Sequence, residues 1–176
     1  VIDSNIYIFG GYSDGYVPNY LYKIDTTNNN NSETITLTGS DIPSRRFGHS
    51  MVVIDDDIYI FGGFYGGYKN DLYRITTLGS CEKITLTGSD DNKPSSRQFH
   101  SMVVIDNNMY IFGGLNDTVL KDLYKINTTG NSEKINITGD IPKRYSHTMV
   151  AIGDYMYIFG GSSFDNVCPN DLYRID

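Results

Sequence analysis

Apolar residues of this chain fall in short runs, and turn-forming residues separate the runs. The runs are rich in Ile, Val, Tyr, Thr and Phe, whereas clusters of Asp, Asn and Gly, such as residues 55–57 and 128–131, stand between them. β-Branched and aromatic residues favour strands, and Asp, Asn and Gly favour tight turns. Because no segment keeps a helical apolar period over a window of about eleven residues, the pattern predicts strands and almost no helix.

Four sequence elements recur in the same order along the chain. One reads [IM]-Y-I-F-G-G and begins at residues 6, 58, 109 and 156. The others read [DY]-L-Y-[RK]-I, E-x-I-x-[LI]-T-G and R-x-x-H-[ST]-M-V. We name the strands A (from the R-x-x-H element), B (I-Y-I-F-G-G), C (L-Y-[RK]-I) and D (E-x-I). The short connections between consecutive strands predict antiparallel meanders.

Strand B is apolar on both of its faces, since Ile58 and Ile60 alternate with Tyr59 and Phe61. A sheet with one solvated face would carry polar residues on that face, so both faces of strand B must be covered. Four-stranded sheets that stack around an axis cover each other in this way. The repeat length of about 50 residues therefore predicts a β-propeller.

The stretch from Pro43 to Ile75, P-x-x-R-x-x-H-S-M-V-V-I followed by I-Y-I-F-G-G and N-D-L-Y-R-I, resembles the kelch repeat. The resemblance covers essentially the whole chain, and the family's glycine doublet recurs at residues 10, 62, 113 and 160. The family's tyrosine is matched by Tyr22, Tyr73, Tyr124 and Tyr173. The chain departs from the family in having no tryptophan, whose place on the outer strand is taken by Ile35, Ile84 and Ile135.

The resemblance implies an all-β fold, a kelch β-propeller fragment of about four blades, each a four-stranded antiparallel sheet. We place the repeat units at residues 1–39, 43–88, 94–139 and 142–176 of a single propeller region, 1–176. The first unit lacks strand A and the last lacks strand D, so we expect 3, 4, 4 and 3 strands. The resemblance to kelch domains implies a closed ring of about five to seven blades. We therefore expect this region to belong to a larger propeller, whose blade number and closure stay open.

Composition narrows the possible functions. The net charge of −7 disfavours binding to nucleic acid or an anionic membrane, and charged residues interrupt every apolar run, so no membrane insertion is expected. Cys81 and Cys168 form no disulfide framework, and the chain opens with no signal-peptide pattern. These features favour the cytoplasm.

Candidate catalytic groups are few. His49, His100 and His147 share one repeat position, so a blade separates each from the next, and we expect hydrogen-bonded structural residues rather than metal ligands. The glycine doublets open no helix and are expected to serve backbone geometry rather than phosphate binding. No nucleophile with a neighbouring base is recognisable. The sequence thus predicts a protein that is not an enzyme and needs no cofactor or metal.

The D–A and B–C loops of such a meander lie at the same end of each blade, which we call the loop face. We expect the loop face to bind a protein partner, because Tyr and Arg anchor interfaces. The candidate binding residues are Arg45, Arg46, Arg97, Lys143, Arg144, Tyr12, Tyr16, Phe64, Tyr65, Tyr68 and Phe164.

The repeated arginines of this set, Arg46, Arg97 and Arg144, are expected to form an arc at the channel mouth that captures an acidic peptide segment. The alternative is a structural role in which they pair with Asp71, Asp122 and Asp171.

The sequence therefore predicts a non-catalytic protein-interaction module of the scaffold or adaptor kind, with no BTB domain visible. Two alternatives remain open, an enzyme of the kelch-propeller type whose site lies in missing blades, and a carbohydrate-binding propeller. The terminal blades each leave one apolar face uncovered, so self-association of the chain is a further expectation.

Overall fold

A computed structural model describes residues 1–28, 31–164 and 170–176 of the chain. The described residues form fourteen strands and one short 3-10 helix, Asp90–Asn92. The strands are β1 (Asn5–Phe9), β2 (Leu21–Asp25), β3 (Asn31–Ile35), β4 (Ser50–Ile54), β5 (Asp57–Phe61), β6 (Leu72–Thr76), β7 (Cys81–Ile84), β8 (Ser101–Ile105), β9 (Asn108–Leu115), β10 (Val119–Asn127), β11 (Ser132–Ile135), β12 (Thr148–Ile152), β13 (Tyr155–Phe159) and β14 (Leu172–Ile175).

These strands build four antiparallel sheets, which we call blades 1 to 4. Blade 1 is β1-β2-β3, blade 2 is β4-β5-β6-β7, blade 3 is β8-β9-β10-β11 and blade 4 is β12-β13-β14. Each sheet is an antiparallel meander, because strands that are consecutive in the chain are neighbours in the sheet. The predicted all-β fold and the predicted strand count of 3, 4, 4 and 3 are confirmed.

Strand A is the inner strand of its blade. The strand A of blade 3, β8, contacts the A strands of both neighbouring blades, β4 and β12. The A strands thus converge, as they do around the axis of a propeller.

Each blade packs on the next through the same pair of surfaces. The aromatic face of β1, with Tyr7 and Phe9, packs on Ile58 and Ile60 of blade 2. Blades 2 and 3 repeat the arrangement, so that all four residues from Ile58 to Phe61 of β5 are buried. The prediction that strand B is covered on both faces is confirmed for this interior blade, and burial of these side chains is the main source of cohesion between blades.

The two end faces of the blade stack are open. Blade 1 exposes Ile6 and Ile8, whereas blade 4 exposes Tyr155, Phe159 and Leu172, the last at 65%. The equivalent of Leu172 in blade 2, Leu72, is 0% exposed because blade 3 covers it. The expected uncovered apolar faces are therefore present.

The glycine doublets hold neighbouring blades close together. Gly62 has a φ of +67°, and a Cβ atom there would lie 2.8 Å from the carbonyl oxygen of Arg97 in the next blade. The N–H of Gly63 donates to this same carbonyl at 2.8 Å. A side chain at Gly62 would therefore collide with the neighbouring backbone, which supports the predicted role in backbone geometry.

Candidate functional site

The repeated arginines lie at the loop face but point into the protein. Arg97 is 0% exposed, and all five of its N–H donors have acceptors. Its Nη1 and Nη2 atoms donate to the two carboxylate oxygens of Asp122 at 2.6 and 3.1 Å. Nη1 also donates to the Gly113 carbonyl oxygen at 2.9 Å, and Nε to that of Ser95 at 3.0 Å. Arg97 therefore ties the start of strand A to the end of strand B and the start of strand C.

The same network recurs in the other two blades that contain strand A. Arg46 and Arg144 are both 0% exposed and pair with Asp71 at 2.6 Å and with Asp171 at 2.8 Å. The hydrogen bonds from Arg144 lower the pKa of Asp171.

The expectation that Arg46, Arg97 and Arg144 offer an open arc of guanidinium groups to a partner is wrong. They are buried and hydrogen-bonded to carboxylate oxygens, so the alternative pairing with the three aspartates is confirmed. The physical reason is that a residue repeated in every blade serves a contact repeated in every blade.

Pairing also removes most of the basic character of the loop face. Lys93 lies 3.3 Å from Asp90, and Lys121 lies 3.9 Å from Asp140. Within the described residues, the loop-face cations with no carboxylate within 4.0 Å are Arg45, Lys69 and Lys143.

Of these three, Arg45 is half-buried by the B–C loop of blade 1. Its Nη1 donates to the Val17 carbonyl oxygen at 3.2 Å, and its guanidinium lies 5.1 Å from the centre of the Tyr16 ring. The Tyr16 hydroxyl is hydrogen-bonded to that of Tyr20, which raises the pKa of Tyr16. Lys143, by contrast, is exposed.

The three histidines pack between blades. Each ring meets a strand-B phenylalanine of the preceding blade edge-on, as His100 does with Phe61 at 5.4 Å between ring centres. Among the described residues, no protein group is hydrogen-bonded to either ring nitrogen of His100 or His147, so the expected hydrogen bonds to protein groups are not found for these two. Burial, with the neighbouring arginine, lowers the pKa of His49 and of His147 to about 4. The imidazoles are therefore neutral packing groups at pH 7.

Aromatic rings, rather than arginines, dominate the surface around the channel mouth. We define the aromatic arc as the chain of neighbouring rings Tyr12, Phe47, Phe99, Tyr145 and Phe164, whose successive centres are 5.6, 6.3, 6.4 and 6.4 Å apart. The arc begins in the B–C loop of blade 1, crosses the strand-A ends of blades 2, 3 and 4, and ends in the B–C loop of blade 4. The rings of these pairs are tilted by 39–58° to each other, and aromatic pairs at such separations stabilise each other by about 0.5–1.5 kcal/mol per pair.

The predicted aromatic residues divide between the arc and its flanks. Tyr12 and Phe164 are the ends of the arc, at 66% and 57% exposure. Phe64 is half-buried against Phe47 and Tyr68, with ring centres 5.7 and 5.1 Å away. The remaining predicted aromatics, Tyr16 and Tyr65, are exposed.

Phe47 and Phe99, the central rings of the arc, were not among the predicted binding residues. Phe47 directly follows the repeated arginine, as Tyr145 does in blade 4, whereas Phe99 lies one position further along. The sequence does contain a signal for the arc, namely an aromatic residue one or two positions after each repeated arginine. In blade 3 this aromatic residue is displaced by one position, so an alignment of the repeats does not show it as a repeated residue.

Phe99 adopts an uncommon backbone conformation, with φ of +55°. Its equivalents Gly48 and Ser146 are also left-handed, and the three are linked across blades: the Phe99 N–H donates to the Gly48 carbonyl at 2.7 Å, and the Ser146 N–H to the Phe99 carbonyl at 2.8 Å. A left-handed bulky residue costs about 1–2 kcal/mol. The hydrogen-bonded neighbours hold Phe99 in this position, with its ring over Gly48. An open apolar groove is lined by Phe99 and Gly48 together with Gly11, Tyr12 and Phe47.

Other candidate chemistry is sparse in the part of the chain that the structure describes. There, no three His, Cys, Asp or Glu side chains are grouped as a metal site would require. Cys81 is buried, which raises the pKa of its thiol, whereas Cys168 lies outside the described residues. No described helix is long and apolar enough to cross a membrane.

Comparison with known proteins agrees with this architecture. A family model described as the KLHDC2/KLHL20/DRC7 Kelch-repeats domain matches residues 1–176. The chain therefore belongs to the kelch-repeat family.

Similar curated proteins have diverse names. Human Kelch domain-containing protein 10 is 31% identical over 72% of this chain and 30% of its own length. Bovine Kelch domain-containing protein 3 is 29% identical over 82% of this chain and 41% of its own length. An N-(sulfonatooxy)prop-2-enimidothioate sulfolyase of Thlaspi arvense is 32% identical over 65% of this chain and 34% of its own length. The chain thus spans less than half the length of these relatives.

Proposed function

We propose that this chain is the part of a larger kelch propeller that binds a protein partner through the aromatic arc of the loop face, as a non-catalytic interaction module. Kelch repeats of this family support a role in protein interaction at a general level. The observation that carries the proposal is the continuous row of rings across four blades, with exposed tyrosine and phenylalanine at its ends. Large aromatic side chains on a rigid support are the usual anchors of protein interfaces.

The arc suits an extended segment of the partner. It is one ring wide, and its groove between Tyr12 and Phe99 is lined by carbon rather than by polar groups. Apolar side chains of the partner would fill this groove. An acidic residue of the partner would then meet the exposed Lys143 or the half-buried Lys69, since the repeated arginines are occupied by their own aspartates. The proposed location of the module is the cytoplasm.

A peptide selection tests the proposal. The chain would be used to select binders from a displayed library of random twelve-residue peptides, and the binders would be measured by calorimetry. We expect apolar or aromatic residues in the selected peptides. Tyr12→Ser and Phe164→Ser should each weaken binding by about 1–2 kcal/mol, because both rings are exposed anchors whose loss leaves the fold intact.

The matched control is the paired change Asp55→Asn and Asp56→Asn. Both aspartates are exposed at the end of the blades opposite the loop face, so binding should change by less than about 0.5 kcal/mol. Asp57 is left unchanged because it pairs with Arg74 at 2.7 Å. Peptides that bind the two arc variants as tightly as the parent chain would refute the proposed site.

The similarity to the sulfolyase favours a second candidate, an enzyme whose catalytic groups lie outside this chain. A carbohydrate-binding propeller is a third, since exposed rings such as Tyr12 also stack on sugars. Thermal-shift measurements on the full-length protein with divalent metals and with monosaccharides distinguish these two candidates from the interaction module. A rise in melting temperature with one of these ligands, and none with the selected peptides, would favour the alternatives.

A further inference from the structure

A polar cleft lies in blade 3 at the end opposite the loop face, where strand B begins and strand C turns into strand D. We call it the asparagine cleft. It has a volume of about 280 Å³ and is lined by Asn108, Lys125, Asn127, Asn131, Ser132 and Glu133. In the sheet, Asn108 lies opposite Asn127 and Lys125 lies opposite Glu133. These four side chains therefore share one face of the blade.

The amide groups of two asparagines in the cleft are anchored by their oxygen atoms. The Oδ1 atom of Asn127 accepts hydrogen bonds from the N–H and the hydroxyl of Thr129, at 3.0 and 2.9 Å, and from the N–H of Asn131 at 2.9 Å. The Oδ1 atom of Asn131 accepts one from the Thr87 hydroxyl at 2.6 Å. Among the described residues, neither amide nitrogen has an acceptor. Each keeps two N–H donors for a ligand in the cleft.

The lysine of the cleft also has donors to spare. The Nζ atom of Lys125 lies 3.6 Å from the Glu133 carboxylate, which is too far for a good hydrogen bond. In blade 2 the equivalent side chain, Arg74, donates from Nε to Asp57 at 2.7 Å. Blade 3 has the neutral Asn108 in place of Asp57, so this second ion pair is missing and the cleft stays available.

The openness of the cleft is a feature of the repeat. The side chain of Lys125 is 35% exposed, whereas Lys23 and Arg74, at the same position in blades 1 and 2, are 31% and 41% exposed. Those two side chains belong to blades that are followed by a blade with all four strands. Covering by a complete blade therefore leaves this position accessible to solvent.

The charges of the cleft favour a neutral ligand. An anion would meet the Glu133 carboxylate, and a cation would meet the Lys125 ammonium and the amide N–H groups. Hydroxyl groups both donate and accept hydrogen bonds, so they match a lining of this mixed kind. The volume lies just below the about 300–1,000 Å³ of pockets for drug-sized ligands, which suits one small polyhydroxylated molecule.

We propose that the asparagine cleft binds a single sugar unit through neighbouring hydroxyl groups. One hydroxyl would accept from the amides of Asn127 and Asn131, and the next would donate to the Glu133 carboxylate. The site uses hydrogen bonds rather than stacking on exposed rings, and it lies at the opposite end of the blade from the aromatic arc. Sugar binding here would accompany the proposed binding of a protein partner, and so it goes beyond that function.

Saturation-transfer NMR on the whole 176-residue chain tests the proposal, because it detects weak ligands and tolerates an associated protein. The probes are the methyl glycosides of glucose, galactose and mannose. At least one of them should bind saturably at about millimolar concentration, as a small ligand in an open cleft does. Sodium sulfate at the same concentration should not displace it.

The turn of blade 2 provides a variant that removes both amides and keeps the fold. In the double variant Asn127→Thr and Asn131→Ser, blade 3 takes the residues of Thr76 and Ser80, where the Ser80 N–H donates to the Thr76 hydroxyl at 3.1 Å. Glycoside binding should weaken at least about tenfold, because four amide N–H donors are lost.

Two single variants complete the test. The matched control is Asn116→Ser, which removes an asparagine whose Oδ1 accepts the Thr118 N–H at 3.0 Å, but at the loop face. It should leave glycoside binding unchanged. Lys125→Met, at a partly exposed side chain, should weaken binding several-fold and keeps the proposal testable if the double variant is unstable.

Four results would overturn the proposal. They are no binding of any of the three glycosides, displacement by sulfate, normal binding to a double variant whose circular dichroism shows it to be folded, or an equal loss with Asn116→Ser. Displacement by sulfate would indicate an anion site instead. Peptide binding at the aromatic arc should be the same in all these variants, so failure of the sugar site would leave the proposed function untouched.

Discussion

Removal of a repeated arginine should destabilise the fold of the protein rather than merely weaken binding. In an Arg97→Ala variant, the Asp122 carboxylate, whose side chain is 18% exposed, keeps its charge but loses both hydrogen bonds from the guanidinium. The carbonyl oxygens of Gly113 and Ser95 each lose a donor as well. Breaking a buried ion pair on one side typically costs about 3–5 kcal/mol.

That loss is large for a protein of this size. Domains are typically stable by about 5–15 kcal/mol, and 1 kcal/mol corresponds to about 2–4 °C in melting temperature for 150–250 residues. The expected fall in melting temperature is therefore roughly 6–20 °C. Thermal unfolding followed by circular dichroism measures this fall. Urea unfolding followed by tyrosine fluorescence measures the loss of unfolding free energy, since the chain contains no tryptophan.

Two variants serve as controls for Arg97→Ala. Arg45→Ala, in the residue beside Arg46, removes one hydrogen bond to a carbonyl at a half-buried site and should cost less than about 1.5 kcal/mol. Arg97→Lys should recover only part of the stability, because an ammonium cannot reproduce the planar set of five donors. The reasoning is refuted if Arg97→Ala unfolds within about 1 kcal/mol of the parent chain.

Three further predictions concern self-association, acid stability and blade contacts. The 176-residue chain should self-associate at micromolar concentration, and Phe159→Asp should reduce this in analytical ultracentrifugation, because Phe159 lies on an open apolar face. Stability should be fully present above about pH 6.5 and fall as the pH approaches 4, since the unfolded chain binds protons at histidines whose folded pKa is about 4. At pH 5 the loss is roughly 2 kcal/mol for each of His49 and His147, and His147→Met should remove its share from urea unfolding curves. Gly62→Ala should destabilise more than Gly66→Ala in thermal unfolding, because both have a positive φ but only Gly62 faces the neighbouring backbone.

The repeat made most of the fold predictable. Strand B is apolar on both faces, and only a stack of sheets covers both faces. The sequence of residues 58–61 therefore predicts stacked blades by itself. The open faces of blades 1 and 4 followed from the same alternation of isoleucine with tyrosine and phenylalanine. These features depend on local periodicity, which the sequence records directly.

The direction in which loop side chains point was not predictable in the same way. Arg97 was compatible with an exposed binding residue or a buried partner of Asp122, because the sequence places both at the loop face without a distance between them. The tertiary structure decided for burial, with a 2.6 Å contact between residues 25 positions apart. The surroundings of the histidines were likewise decided by the tertiary structure, which packs the rings of His100 and His147 on phenylalanines of the preceding blade and, among the described residues, gives their nitrogens no protein hydrogen-bond partner.

By itself, the sequence determined the all-β class, the four-element repeat and the face on which variable loops gather, because these follow from residue periodicity and turn chemistry. Only the tertiary structure decided which loop-face groups remain available to a partner. It buried the repeated arginines against aspartates and brought Phe47 and Phe99 into one row with Tyr12, across three blades. The physical reason is that burial and pairing depend on contacts between residues from separate strands and blades. The spacing of these residues in the chain does not determine which of them are in contact.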